Sequence, residues 1–376
     1  MKEPILLLFG DNLVAYNIAA AIDKTRYEVF CFLPSGARSL ISHSHFIHRS
    51  ERSTFPVDHP GYMQELVEFV GSIQGDGKVL TFLTSDQAIS FWRENESLLQ
   101  LHCSTGMNQL DVLSDKAQFY ALLSELDLPH ARVWNFGQTP VYPYVVKPCV
   151  KRLESEFVKK EGAKIRLVKQ PEDELGLTDY DADNLICQEY VEFSIGDEFS
   201  WWGYRNEDGN IVSVVGQHRQ KFPDKSGRVS RVALVINEEV KELGDSFVDR
   251  LDFVGICDIQ FIYDRVNCRY LINEVNPRLW CCHEILEMNS IHLIQNFVDD
   301  YHSSEASQPR EKEEEDFSQE WFSSLYNITN PSLRSFRCSE FLHLKSDSLR
   351  MRISAFLFIV AKFVLHGMKR KIHSPS

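Results

Sequence analysis

The stretch Gly255-Ile-Cys-Asp-Ile-Gln-Phe-Ile-Tyr-Asp-Arg-Val-Asn-Cys-Arg-Tyr-Leu-Ile-Asn-Glu-Val-Asn-Pro-Arg278 decides how this chain is read. Its periodicity predicts two short strands joined by a polar turn at Asp264–Asn267. Side chains alternate faces along a strand, so Asp258 and Gln260 share one side of the first. Glu274 and Asn276 share one side of the second, with Val275 turned away. If the strands pair with those sides aligned, carboxylate and carboxamide oxygens converge on one patch. Hard oxygen ligands on a rigid hairpin suit Mg²⁺ that is also held by substrate phosphates. Pro277 cannot continue a central ladder, which leaves Arg278 at the strand end beside the patch. The competing reading is a solvated hairpin face. Against it, Ile272, Val275 and the run Ile259–Ile262 indicate a largely buried sheet, where carboxylates and amides need partners.

This segment resembles the metal-binding end of ATP-grasp enzymes, in which a strand ending in Glu-x-Asn-Pro-Arg carries the Mg²⁺ ligands. It is most similar to the carbamoyl phosphate synthetase-like branch of these carboxylate–amine ligases, which has Gln on the first strand. The resemblance implies Gln260, Glu274 and Asn276 as ligands of the Mg²⁺ or Mn²⁺ ions bridging the ATP phosphates. It implies Arg278 as a contact to a phosphate or acyl phosphate. It also implies an α/β (α+β) chain: an ATP-grasp fold of two α/β subdomains, preceded by a small parallel-sheet Rossmann-like domain. The C-terminal helical tail that completes the expected fold is read from the chain's own apolar segment, 353–366.

Length and composition agree with that expectation. The 376 residues suffice for two or three domains with cores. Hydrophobic content of 43% and charged content of 25% are ordinary for a soluble protein. A net charge of −14 argues against general nucleic-acid binding. The nine cysteines are scattered without zinc-like CxxC pairs. Ile5–Phe9 is too short for the apolar region of a signal peptide, so reduced thiols in a cytoplasmic protein are the simplest expectation.

Residues 1–105 read as α/β: a strand at Ile5–Phe9, a helix at Leu13–Ile22, and strands at Tyr27–Leu33 and Lys78–Leu83. A helix at Gln87–Leu99 follows, capped by Ser85 or Asp86. Strands alternating with helices predict a parallel sheet. Gly10-Asp-Asn lacks the further glycines of GxGxxG, which disfavours a dinucleotide pyrophosphate. The expected organisation continues with an ATP-grasp domain over 106–300, its halves meeting near 183/184. An acidic linker over 301–318 and an extension over 319–376 follow.

Within 106–300, Ser114-Asp-Lys116 opens a helix over Ala117–Leu126, ordinary capping chemistry. Tyr144-Val-Val-Lys-Pro148 puts an ammonium at the end of a strand, where a point charge can bind phosphate oxygens. The resemblance implies Lys116 and Lys147 as ATP contacts. A glycine-rich flap is usual next, but Cys149–Val168 keeps only Gly162 and is basic (Lys151, Arg152, Lys159, Lys160, Lys164, Arg166). Lys164 is the expected phosphate donor there; a solvated charged hairpin is the alternative. Asn184–Val191 reads as a strand running into a linker. By resemblance Gln188 or Glu189, with the Val191 backbone, binds adenine and Glu198 accepts from the ribose. A carboxylate suits that task because it accepts two hydrogen bonds at once. Strands at Phe199–Tyr204 and Ile211–Gln217 follow, joined by a turn at Asn206–Gly209. The region Gln217–Lys221 and Gly227–Arg231 serves the carboxylate substrate and the transferring phosphate in related ligases. Candidates are His218, Arg219, Arg228 and Arg231, with Asp258 as a further substrate contact; a surface role stays open for each. Arg278, Lys147 and Arg219 form the expected catalytic set. Cys281-Cys282-His283 reads as the start of a helix rather than a zinc site, because adjacent cysteines rarely ligate one zinc.

The tail holds an apolar segment, 353–366, flanked by Arg350, Arg352, Lys369, Arg370 and Lys371. It is shorter than the ~20 residues that span a bilayer. Either it packs on the body, or it lies in a membrane interface with its basic flanks on anionic headgroups, at the inner membrane face. The expected activity is ATP-dependent amide formation through an acyl phosphate, with a small carboxylate and an amine (an amino acid among the candidates) as substrates and a homodimer as one possible assembly. An ATP-binding regulator and an ATP-grasp kinase remain as alternatives.

Overall fold

The computed structural model describes residues 2–10, 12–37, 41–75, 77–138, 141–222, 229–303, 317 and 319–322. Arg228 and the apolar segment 353–366 lie outside them, as do nearly all of the expected linker and extension. The described residues form two compact units: one of those up to 106 with 279–303 and 319–322, the other of those in 107–278 with 317.

In the first unit, β1 (Glu3–Leu8), β2 (Tyr27–Leu33), β3 (Arg49–Arg52), β4 (Val79–Leu83) and β5 (Cys103–Ser104) make a parallel sheet in the order β3-β2-β1-β4-β5. Ile5–Leu8 and Val79–Leu83 are buried on both faces, as strands of a helix-covered parallel sheet must be. The helices are α1 (Leu13–Ala21), α2 (Pro60–Ile73) and α3 (Asp86–Leu99). Asn12 caps α1 through Ala15 N (3.0 Å), so the turn after β1 satisfies its own amides. Ser85 caps α3, accepting from Ala88 N at 3.2 Å. The strand order reverses between β1 and β4. There Thr84 donates to the Leu8 carbonyl at 2.8 Å, and Asn12 Nδ2 donates to the Thr84 carbonyl at 3.0 Å.

The second unit contains two antiparallel sheets. Its helices are α4 (Leu110–Ser114), α5 (Lys116–Glu125), α6 (Lys151–Glu161) and α7 (Glu238–Arg250). The smaller sheet, ordered β6-β9-β7-β8, comprises β6 (Val133–Asn135), β7 (Tyr144–Pro148), β8 (Arg166–Val168) and β9 (Leu185–Glu189). In the larger, β10 (Glu198–Arg205), β11 (Ile211–Lys221), β12 (Val229–Val235), β13 (Gly255–Asp264) and β14 (Arg269–Asn276) run in the order β14-β13-β10-β11-β12.

One face of the larger sheet is apolar. Phe199, Trp201, Val215, Ile259, Phe261, Ile272 and Val275 pack with Phe119 and Leu123 of α5 and with Val240, Phe247 and Val248 of α7. The residues between them, among them Ser200, Trp202, Asp258 and Gln260, alternate to the other face. The chain then returns to the first unit through α8 (Glu284–Met288) and α9 (Leu293–His302). Asp299 of α9 accepts from Tyr27 Oη and Arg26 Nη1, both at 2.8 Å, and Gln295 Oε1 accepts from Asp23 N at 2.7 Å. The helix expected to start at Cys281-Cys282-His283 begins three residues later: Cys281–His283 form a turn, and α8 opens at Glu284.

Gly244 shows how tightly α7 meets the sheet. A Cβ there would lie 2.3 Å from Cδ1 of Trp201, whose side chain is fully buried. In an exposed helix interior Gly→Ala would gain about 1 kcal/mol. Here overpacking against a rigid ring reverses the sign. We expect Gly244→Ala to lower unfolding stability by about 1–3 kcal/mol in urea titration; a variant as stable as the parent would show that α7 does not approach Trp201 this closely.

Candidate functional site

Strands β13 and β14 pair so that Asp258 faces Asn276 and Gln260 faces Glu274. A bulge after the Gln260–Glu274 pair takes up Asn273. It lets Ile272 join the core while Glu274 stays on the polar face. The four polar side chains singled out in the sequence therefore share one face. Asp258 is only 3% exposed. Its Oδ1 accepts from Trp202 Nε1 at 3.0 Å; its Oδ2 accepts from Asn276 Nδ2 at 3.0 Å and Gln260 Nε2 at 3.3 Å. Burial pushes the Asp258 carboxyl up, opposed by these bonds, by Ser200 and by the Arg278 charge. Arg278 follows directly, its N–H donating to the Asn276 carbonyl at 2.7 Å.

A pocket opens beside Glu274, lined also by Lys116, Lys147, Lys164, Gln188, Glu189 and Val191. Each is delivered by a different local rule. Lys116 is the first residue of α5, whose N-terminus Asp115 caps through Ala117 N (2.9 Å) and Gln118 N (3.1 Å). Lys147 is carried into the interior by β7 and is 8% exposed. Its ammonium donates to Tyr120 Oη at 2.9 Å and Gln188 Oε1 at 2.7 Å, and lies 4.9 Å from the centre of the Tyr120 ring. Gln188 Nε2 also donates to Tyr120 Oη at 3.2 Å. That hydroxyl gives its own proton to the Asn273 carbonyl at 2.5 Å, and burial raises its pKa so that it stays protonated. Tyr120 thereby ties the β7 lysine and the β9 glutamine to the bulge of the metal-type hairpin. Sequence reading did not find it.

The expected flap is a helix. Residues 151–161 form α6, ended by Gly162 in the left-handed conformation (φ 74°). Phe157 roots α6 in the core of the smaller sheet. Glu161 accepts from Tyr180 Oη at 2.8 Å and Arg166 Nη1 at 2.9 Å. Near its start, Glu154 reaches into the pocket, 3.0 Å from Lys116 Nζ and 3.6 Å from Lys164 Nζ. A helix replaces the hairpin expected as the alternative to a flap because the 151–161 stretch is rich in good helix formers and offers Phe157 a buried site.

Glu198 of β10 stands opposite Ile262, another pocket residue. One oxygen accepts from Lys221 Nζ at 2.5 Å; the other is buried with no partner among the described residues. Burial raises the Glu198 pKa, against the pull of Lys221. Glu189 Oε2 accepts from Arg132 N at 3.3 Å. Arg219 is exposed at an irregularity of β11, and Arg231 pairs across from Gln220. His218, 6% exposed, meets Ser200 Oγ at 3.1 Å, while its Nδ1 has no partner among the described residues. The structure thus gathers Lys116, Lys147, Lys164, Gln188, Glu189, Val191 and Glu274 around one pocket. It leaves Glu198, Gln260, Asn276, Arg278, Asp258, His218, Arg219 and Arg231 outside the pocket lining.

The donor chemistry fits a divalent cation shared with a nucleotide. Glu274 supplies one formal negative charge and Gln260 and Asn276 supply neutral oxygens, so phosphate oxygens would complete the shell. The unpartnered oxygen of Glu198 is an acceptor of the kind a ribose hydroxyl meets.

No protein-family model matches the chain, and no curated protein matches it in sequence. Solved structures do. N5-carboxyaminoimidazole synthetase from Staphylococcus aureus, complexed with ADP, aligns at TM-score 0.61 and 14% identity over 80% of this chain and 78% of its own. The biotin carboxylase ATP complex from Campylobacter jejuni aligns at 0.63 and 13% over 82% and 73%. The biotin carboxylase domain of 2-oxoglutarate carboxylase from Hydrogenobacter thermophilus, bound to MgADP, ADP and bicarbonate, aligns at 0.60 and 13% over 81% and 70%. What is shared at these identities is the fold. The chain has the ATP-grasp fold, α/β in class, that the Glu-x-Asn-Pro-Arg resemblance implied.

Burial pushes the His218 pKa down to about 3, with Lys221 adding to the effect. The ring is therefore neutral in the folded chain, while in the unfolded chain it titrates near about 6.5. Protons bind the unfolded state first, so this contribution is complete above that value and is lost as pH falls toward 3. Between about pH 6.5 and about pH 5 the expected loss is about 2 kcal/mol in urea unfolding. His218→Gln should remove that share of the pH dependence; an identical acid limb in the variant would refute the assignment.

Proposed function

We propose that the chain is an ADP-forming, ATP-dependent carboxylate–amine ligase acting through an acyl phosphate. One observation carries this: Lys116, Lys147 and Lys164 line a single pocket with Glu274 and with Gln188, Glu189 and Val191 at the end of β9. Three lysines, a metal-type acid and a strand end suited to a purine, gathered in one pocket, are what a nucleotide site in an ATP-grasp fold calls for. The relatives in fold support it, since their structures hold ADP, ATP or MgADP.

When bound, MgATP supplies the phosphoryl group and neutralises charge at the transferring oxygens. The protein's part is positioning. The Glu189 and Val191 backbone meets the base and Glu198 accepts from the ribose. Lys147, held by Tyr120 and Gln188, presents a fixed charge. Lys116 and Lys164 exchange the Glu154 carboxylate for phosphate. Arg278 and Arg219 hold the phosphate during and after transfer to the substrate carboxylate, and the amine then displaces it. Arg231 and Arg228 are the cations we assign to substrate carboxylates. No nucleophilic side chain is required.

A second reading has one observation in its favour. Glu154 occupies the lysines that phosphate would need, as expected of an ATP-binding protein with reduced turnover. ADP release measured with MgATP against a panel of carboxylates, bicarbonate included, and amines, with product mass spectrometry, separates these. An amide product supports the ligase, a phosphorylated hydroxyl a kinase, and binding without ADP release the regulator. With the ligase, Glu274→Ala is expected to lower turnover at least ~100-fold with the fold intact. Parental turnover in that variant would remove Glu274 from the metal set.

A further inference from the structure

A carboxamide is an ambivalent metal ligand. Its oxygen binds a cation and its NH₂ group repels one, and the two differ only by a flip of the side chain. Resting on the metal assignment above, we infer that Asp258 is a positioning residue that fixes the flip of Gln260 and Asn276 so that their oxygens are the atoms presented to the cation.

The argument is one of hydrogen-bond direction. The structure places nitrogens against Asp258 Oδ2, Asn276 Nδ2 at 3.0 Å and Gln260 Nε2 at 3.3 Å. These donors, with Ser200 and the Arg278 charge, favour the carboxylate against the upward push of burial, and a carboxylate, which only accepts, holds both amides in that sense. Asp258 is oriented in turn by an indole that can only donate, Trp202 Nε1, at 3.0 Å from Oδ1. Trp202 is 1% exposed, and its ring lies over Gly216, where a Cβ would come within 2.3 Å of it. From Gly216 through Trp202 and Asp258 to the two amides, each link has one direction. The register delivers this set, because Trp202 pairs with Asp258 across β10 and β13, and Asp258 pairs with Asn276 across β13 and β14. Asp258 therefore serves the cation from behind its ligands rather than by touching substrate.

The test is Mn²⁺ affinity in the presence of ADP, followed by the EPR signal of free Mn²⁺, with metal-free ADP affinity as the control for an intact site. In Asp258→Asn, the oxygen of the new side chain is claimed by the Trp202 N–H. Its NH₂ then faces the two amides and turns their NH₂ groups toward the cation. Mn²⁺ affinity is expected to fall about 10–100-fold, the usual range for outer-shell partners, while ADP alone binds as before.

Adding Trp202→Phe to Asp258→Asn removes the competing N–H and lets the Asn oxygen face the amides, so part of the lost affinity returns. A role through charge alone predicts no return, and that result would overturn the inference. If Asp258→Asn does not fold on its own, the double variant Asp258→Asn/Trp202→Phe is compared with Trp202→Phe: Mn²⁺ affinities within about 10-fold of each other are expected, because the Asn oxygen still accepts from the amides, and a greater loss in the double variant would overturn the inference. Unaltered Mn²⁺ affinity in a folded Asp258→Asn overturns it too, yet leaves the ligase reading standing. Absence of Mn²⁺·ADP binding by the parent protein overturns both.

Discussion

The register between β13 and β14 is the constraint on which the site depends. Strand side chains alternate with a period of two, so a slip by one residue would turn Asp258 and Gln260 into the core and bring Ile259 and Phe261 to the polar face. The core prevents this. Ile259, Phe261, Ile272 and Val275 are all buried against α5 and α7, and exchanging them for two polar groups would cost several kcal/mol. The apolar half of the hairpin thus enforces the geometry of its polar half. The Asn273 bulge is the one departure, and it is put to use: the carbonyl it turns out is the acceptor for Tyr120.

Burial of charge is the second theme, and each buried ion is met by a specific group. Lys147 donates to a phenol and a carboxamide. Asp258 is met by an indole and two amides. Low polarity around such groups strengthens the hydrogen bonds that hold them and penalises any that are lost, which makes these networks rigid supports for a site. The larger sheet is accordingly an apolar platform on one side and a set of fixed dipoles on the other.

Much of this was legible in the chain. The alternation at Asp258, Gln260, Glu274 and Asn276, the apolar strand ending at Lys147, and the starts of α3 and α5 all follow from local rules, and each stands where the sequence put it. What escaped was non-local or was read through family likeness. Glu154 meets Lys116 across 38 positions, and Tyr120 meets Asn273 across 153, so no window of sequence contains either pair. The Trp202–Asp258 bond needs the β10–β13 pairing, which neither strand specifies alone. The helix α6 was locally legible, since 151–161 is made of good helix formers, but the expectation of a flap displaced that reading. Helix α7 likewise announces itself by Asn237, which caps it through Val240 N at 3.1 Å, followed by Glu238 and Glu239 in its first turn.

Whether Glu154 obstructs the pocket or merely keeps it is a question of magnitudes. Its contact with Lys164 is between largely solvated groups, the lysine being 56% exposed, and such pairs contribute little. Its contact with Lys116 is better shielded, at 13% and 16% exposure, but remains a single charge pair of about 1 kcal/mol. On the proposed reading, a nucleotide triphosphate would bring several negative charges to the same lysines, together with the cation assigned to Glu274. Competition between one carboxylate and a polyphosphate favours the latter by charge alone. Only the first turn of α6 has to yield, because Phe157 and Glu161 anchor the rest of the helix. If the proposed nucleotide site holds, Glu154 is a counter-ion that keeps Lys116 and Lys164 together until phosphate displaces it. On this account the loss of flap glycines replaces a mobile backbone cradle with side chains on a rooted helix.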